Sequence, residues 1–390
     1  MEFNWNTPVR LTFGPGKIRE AGEVVKQYGK KAMIVTTGPF FRENGLLARL
    51  EKILSDSGVA SVAFTDISPN PLSVDVDRAA ALAMDSGVDV LIGLGGGSAI
   101  DAAKGIAIAA GHRGKIWDFA PTPSGGRQAI TGATLPVVAV TTTSGTGSHV
   151  TQYVVITNPE TKEKPGFGCD YTWARHAIID PELMLSLSPR ITASTGFDVF
   201  CHALEAYTSR MSTPISDLYA ERAISIVGRY LREAVIRGGS LEARSQMALA
   251  DTLAGIAISM GGVTNCHAVA HAAGGIDNVV HGEFLAALAP VVYEYDMRSN
   301  PDKYKVVGKL LNPAAKTEGR SDEELLAGSI DEIRALLRDI GLDKTLREVG
   351  VGPDVRAIAE ATVAYMGVGL DNDYQTLDAA DITRLLEKAY

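Results

Sequence analysis

"VDVLIGLGGGSAIDAAKG", residues 88–105, packs a strand, a turn and the start of a helix into one short stretch. Its first seven residues are almost continuously apolar, as in a strand covered on both faces. Gly95, Gly96 and Gly97 follow. Without Cβ atoms they let a diphosphate approach the backbone closely. The helix beginning near Ser98 offers free N–H groups and the positive end of its dipole to such an anion. Ser98 and Asp101 also form an S-x-x-D capping pattern. The glycine spacing falls short of the full G-x-G-x-x-G fingerprint, because Ser98 occupies its last position. On its own a tight turn with no ligand explains it equally well.

Working outward, the first 185 residues alternate β-rich runs with helical patterns. Residues 32–37, 61–66, 88–94, 136–141, 153–157 and 176–180 read as strands, and 73–87 and 98–111 as helices. This alternation predicts an α/β domain with a mainly parallel, doubly wound sheet. Residues 120–136 are rich in turn formers and read as a loop or hairpin. After residue 185 the character changes. Ser188-Pro189 reads as an N-cap and first helical position, and from there to Tyr390 nearly every segment has helical periodicity. Residues 1–185 are thus expected to form a dinucleotide-binding domain, and residues 186–390 an all-α domain.

Composition narrows the function. A chain of 390 residues suits two domains, and 46% hydrophobic residues can fill both cores. The net charge is −9 with no long basic run, which argues against nucleic-acid binding. An anionic cofactor remains possible, because backbone amides can hold it. The three cysteines, Cys169, Cys201 and Cys266, show no CxxC spacing, so a reducing compartment is expected. With no signal-like N-terminus and no run of about 18 apolar residues, the expected address is the cytoplasm and no membrane span is expected.

A second "TTTSGTGS" turn follows the strand at 136–141. Its hydroxyls and glycines suit the far side of a nucleotide or simply satisfy a loop backbone. Histidine is sparse, with seven in the chain, yet three fall between residues 267 and 281. His267 and His271 lie four apart, so they share a helix face, as do Asp198 and His202 in "TGFDVFCHALEAY". Gly274-Gly275 is expected to end the helix before His281. Any one of these histidines is ordinarily a hydrogen-bonded core or surface residue. Two spaced pairs plus a third element point instead to a divalent metal site. Mixed nitrogen and oxygen donors suit Fe(II) or Zn(II). A Lewis acid beside a dinucleotide suggests hydride transfer at a carbinol carbon.

With "GGGSAIDAAKG", "TTTSGTGSHVT", "TGFDVFCHALEAY", "HAVAHAAGG" and "HGEF" in this order, the sequence resembles the iron-dependent, or group III, alcohol dehydrogenases. The resemblance implies an active site in a cleft between the two domains. It implies that Asp198, His202, His267 and His281 hold the metal, while His271 stands beside the substrate without ligating. Asn70, Gly97, Ser98, Thr142, Thr146, Thr151 and Lys164 match cofactor-contacting positions, joining Gly95 and Gly96 of the turn. Gly38 stands where the family often has an Asp that binds the adenosine ribose and repels a 2′-phosphate. NADP is therefore expected to be accepted and favoured, with NAD usable. The substrate class is a short to medium primary alcohol or its aldehyde, and the expected assembly is a homo-oligomer, a dimer or larger.

The sequence departs from the family pattern at His149, where Glu is usual, and at Ala272-Ala273, Val280, Glu283 and Leu285. These changes bear on the substrate pocket. Two competing readings are a dehydroquinate synthase-like carbon–oxygen lyase with recycled NAD, and a non-catalytic metal-binding protein. The lyase would need Lys and Arg near the metal for a phosphorylated substrate, and the ligand-bearing segments contain none. The non-catalytic reading leaves the glycine turn unexplained.

Overall fold

The computed structural model describes residues 2–390. They pack as two units. One comprises residues 6–143 and 148–184; the other comprises 2–5, 144–147 and 185–390.

The first unit holds strands β1 (Arg10–Phe13), β2 (Lys31–Thr37), β3 (Ala60–Ile67), β4 (Val90–Gly95), β5 (Val137–Thr141), β6 (Val154–Val155), β7 (Gly166–Phe167) and β8 (His176–Ile179). Its helices are α1 (Ala21–Val25), α2 (Phe40–Glu43), α3 (Leu46–Asp56), α4 (Ser73–Asp85) and α5 (Gly97–His112). Six strands form one parallel sheet in the order β1-β8-β5-β4-β2-β3. Successive side chains of a strand point to opposite faces. Met33, Val35 and Leu91 therefore pack with α4 and α5, while Ala32, Ile34, Val90 and Ile92 pack with α1 and α3. Covering both faces is what made the strands read as unbroken apolar runs. β4 lies between β2 and β5, so Gly95 ends a central strand.

Three local expectations change. Residues 153–157 contribute only the short β6, paired antiparallel with β7 and outside the main sheet. Their backbone is engaged elsewhere: the Lys104 ammonium donates to the Tyr153 carbonyl, and Val155 N–H donates to Asp101 Oδ2. The sheet instead gains β1, an edge strand whose residues are mostly exposed, which left no apolar run to read. The S-x-x-D cap does not form either. Helix α5 starts at Gly97 with Gly96 at its N-cap and no side-chain cap, and Asp101 accepts from Ser148 Oγ instead.

In the second unit every element of residues 185–390 is helical: α6 (Pro189–Thr208), α7 (Pro214–Ile236), α8 (Leu241–Gly261), α9 (Asn265–Asp277), α10 (His281–Asp296), α11 (Pro301–Leu311), α12 (Asp322–Asp339), α13 (Val355–Tyr365), α14 (Gly367–Asp371) and α15 (Ala379–Ala389). Ser188 caps α6, its Oγ accepting from Ile191 N–H, with Pro189 in the first turn. Helix α9 runs through Gly274-Gly275 and stops at Asn278, whose φ of 52° supplies the left-handed turn expected of glycine. Among the described residues, no single helix is long and apolar enough to cross a membrane.

Candidate active site

Helix α6 buries nearly its whole length after Thr192, so its polar residues lie inside the helical unit. Asp198 and His202, one turn apart, both reach the same interior as His267 on α9 and His281 at the first position of α10. Asp198 Oδ1 lies 3.2 Å from His267 Nε2 and 3.9 Å from His281 Nε2. One donor atom from each of these three residues falls within 4.8 Å of the others. His202 stands beside this group without joining it, its ring stacked on His267 at 4.3 Å between centroids. His271 meets His281 edge-to-face at 5.7 Å.

Deeper groups set the imidazole orientations. Glu205, fully buried, accepts from His267 Nδ1 at 2.7 Å. That bond puts the ring proton on Nδ1 and leaves the Nε2 lone pair facing Asp198 Oδ1. Two acceptors turned toward each other leave a place that a cation fits. The same surroundings hold a proton when no metal competes. Burial opposes the charged His267, but Glu205 and Asp198 outweigh it and push the imidazole up to about 10. Burial also works against the Glu205 carboxylate, yet the His267 charge and the hydrogen bonds it receives hold it below its ordinary value. His202 Nδ1 bonds the Gly145 carbonyl at 3.1 Å, directing Nε2 away from that loop, and burial lowers its pKa. The loop is held in turn by Asp251, whose Oδ1 accepts from Gly147 N–H at 2.8 Å. Burial pushes this carboxyl up to about 7.

The sequence reading did not single out Glu205 or Asp251. Glu205 had a usable signal: at seven residues past Asp198 and three past His202 it shares their helix face. Asp251 had none.

In the α/β unit the glycine turn is required by packing. A Cβ at Gly95, where φ is +152°, would meet the Ala99 Cβ at 2.7 Å, and one at Gly96 would meet Thr143 Oγ1 at 2.8 Å. Ser98 sits in the first turn of α5. Thr142 N–H donates to the Gly95 carbonyl, which brings the two turns side by side. Lys164 donates to Asn70 Oδ1 at 2.7 Å, joining two of the expected cofactor-contacting residues, which lie 94 residues apart. The Thr151 carbonyl accepts from Lys104. Thr146 lies in the 144–147 segment that packs with the helical unit. Gly38 directly follows strand β2, with φ +62° and nothing within 4 Å of where a Cβ would stand. His149 is buried, and burial together with the nearby Lys104 charge depresses its pKa to about 3.

Residues 8–181 match the profile described as iron-containing alcohol dehydrogenase, and residues 192–390 match that of the Fe-containing alcohol dehydrogenase family, C-terminal. The chain belongs to the iron-containing alcohol dehydrogenase family. It is 36% identical over 351 residues to a 1,3-propanediol dehydrogenase of Citrobacter freundii, covering 90% of this chain and 89% of that one. It is 30% identical to an NADH-dependent butanol dehydrogenase A of Clostridium acetobutylicum, with both chains covered in full. The solved alcohol dehydrogenase from an archaeal halo-thermophilic source in a Red Sea brine pool superposes with a TM-score of 0.96 at 38% identity, covering 100% of this chain and 99% of that one. As a member of this family the chain is an oxidoreductase acting on alcohols with a nicotinamide cofactor.

Proposed function

We propose that this alcohol dehydrogenase interconverts a short to medium primary alcohol and its aldehyde on a metal held by the helical domain, residues 186–390, with the cofactor held by residues 1–185. Asp198, His202, His267 and His281 hold the metal, Fe(II) in preference to Zn(II). The convergence of Asp198, His267 and His281, with Glu205 fixing the His267 tautomer, carries this reading. When bound, such a metal polarises the substrate oxygen and makes hydride departure to the nicotinamide easier.

The remaining work falls to this chain's own groups. Glu205 and the Gly145 carbonyl hold the donor imidazoles in orientation. His271, less buried than His267 and one turn away, takes the alcohol proton on an imidazole nitrogen and passes it to water. The packed turn at Gly95, Gly96, Gly97 and Ser98 receives the cofactor diphosphate at the N-terminus of α5. Asn70, Thr142, Thr146, Thr151 and Lys164 complete the cofactor contacts. The open, side-chain-free Gly38 favours NADP over NAD. The working form is a cytoplasmic homo-oligomer, a dimer or larger.

The test is metal analysis and turnover on anaerobically prepared protein. His267→Ala is expected to lose both metal and activity. Full metal occupancy in that variant would overturn the assignment.

A further inference from the structure

Glu283 departs from the family pattern just after His281, and its position gives it a use. Its side chain is 4% exposed, and Arg190, which is 68% exposed, grips it with two donors. Arg190 Nη2 donates to Oε2 at 3.0 Å and Nε donates to Oε1. Arg190 lies in the first turn of α6 and Glu283 in the first turn of α10. The pair therefore ties together the starts of the two helices that carry Asp198 and His281. Between the two members the helices touch directly. A Cβ at Gly282 would lie 2.1 Å from the Ser194 carbonyl oxygen, so no side chain separates them there.

We infer that Arg190 and Glu283 are positioning residues that set the reach of His281 toward Asp198. The inference rests on the metal reading above. Gly282 lets α10 approach α6, and the bidentate pair fixes how α10 is turned about that contact. His281 is the first residue of α10 and the least buried of the three clustered donors, with 24% of its side chain exposed. It has the least packing of its own to hold it. Exposed ion pairs contribute little in general. Here one partner is a buried carboxylate, and losing the guanidinium removes its hydrogen-bonded counter-charge and leaves only the Lys344 charge to support it.

The test uses Co(II) as probe with the full-length wild type, Arg190→Ala, Arg190→Lys, His281→Ala and the Arg190→Ala/His281→Ala double variant. Arg190 is exposed, so its replacement leaves the core intact. Arg190→Ala is expected to weaken Co(II) binding about tenfold, the scale seen when groups orienting metal ligands are removed. Its visible Co(II) absorption shifts toward that of His281→Ala, and Arg190→Lys recovers part of the affinity. In the His281→Ala background Arg190→Ala adds little further loss, because the pair acts through His281. Wild-type affinity and absorption in Arg190→Ala would overturn the inference alone. So would a full tenfold loss that persists without His281. Failure of the wild type itself to take up Co(II) would overturn the metal reading and this inference together.

Discussion

Replacing Glu205 by Gln keeps the shape of the side chain and changes only what its two terminal atoms can do. Glu205 Oε1 accepts from His267 Nδ1 and from Tyr293 OH at 3.0 Å, while Oε2 accepts from Thr264 N–H at 2.7 Å and His267 N–H at 3.3 Å. Gln offers one oxygen and one amino group. In either orientation its N–H groups face donors that are already fully buried. If the amide oxygen keeps the helix start, the amino group faces His267 Nδ1. The imidazole then accepts there, its proton moves to Nε2, and the metal-facing lone pair is lost. If the oxygen keeps His267, the Thr264 and His267 amides lose their acceptor. A buried donor left unmet costs about 1–3 kcal/mol. The loss of an orienting partner weakens metal binding roughly 10–100-fold, about 1.4–2.7 kcal/mol. The assay is competition with a fluorescent chelator on metal-stripped wild type and Glu205→Gln, with a melting curve alongside. A Tm decrease of roughly 2–4 °C for each kcal/mol is expected. Wild-type metal affinity in the variant would refute the orienting role, even if Tm fell.

Three further outcomes follow from the same geometry. His271→Ala is expected to keep its metal and lose turnover about 10²–10⁴-fold with an altered pH–rate profile; loss of metal would make His271 a ligand instead. Gly38→Asp is expected to move the ratio of kcat/KM values from NADP toward NAD, since the site is open and Asp tolerates a positive φ better than most residues; a wild type strongly selective for NAD would contradict the premise. The third concerns acid stability. His149 has a folded pKa of about 3 against an ordinary 6.5. Between those values the unfolded chain binds more protons, so stability is present above the upper value and falls with pH by at most about 1.4 kcal/mol per unit within the window. His149→Gln removes that slope, and acid titration followed by circular dichroism is expected to show a lower unfolding midpoint. An unchanged midpoint would show that His149 is not buried neutral.

The strand–turn–helix at 88–105, the Ser188-Pro189 helix start and the shared faces of Asp198 with His202 and His267 with His271 were all legible in the sequence. Each depends on residues within a few positions of one another, where backbone sterics and helix periodicity act directly. The same locality misled at Gly274-Gly275 and at Ser98 with Asp101. Helix α9 continues through its glycines until Asn278 turns it, and Asp101 spends its oxygens on Ser148 and Val155 rather than on a cap. Tertiary structure alone decided which distant groups meet the proposed metal donors and the helices that carry them. Glu205 meets His267 across 62 residues, Gly145 meets His202 across 57, Asp251 meets Gly147 across 104, and Arg190 meets Glu283 across 93. Residue type and spacing show that a carboxylate or carbonyl is available. Only tertiary packing, which brings distant segments within about 3 Å and, around the buried donors, excludes the water that would otherwise satisfy them, selects its partner.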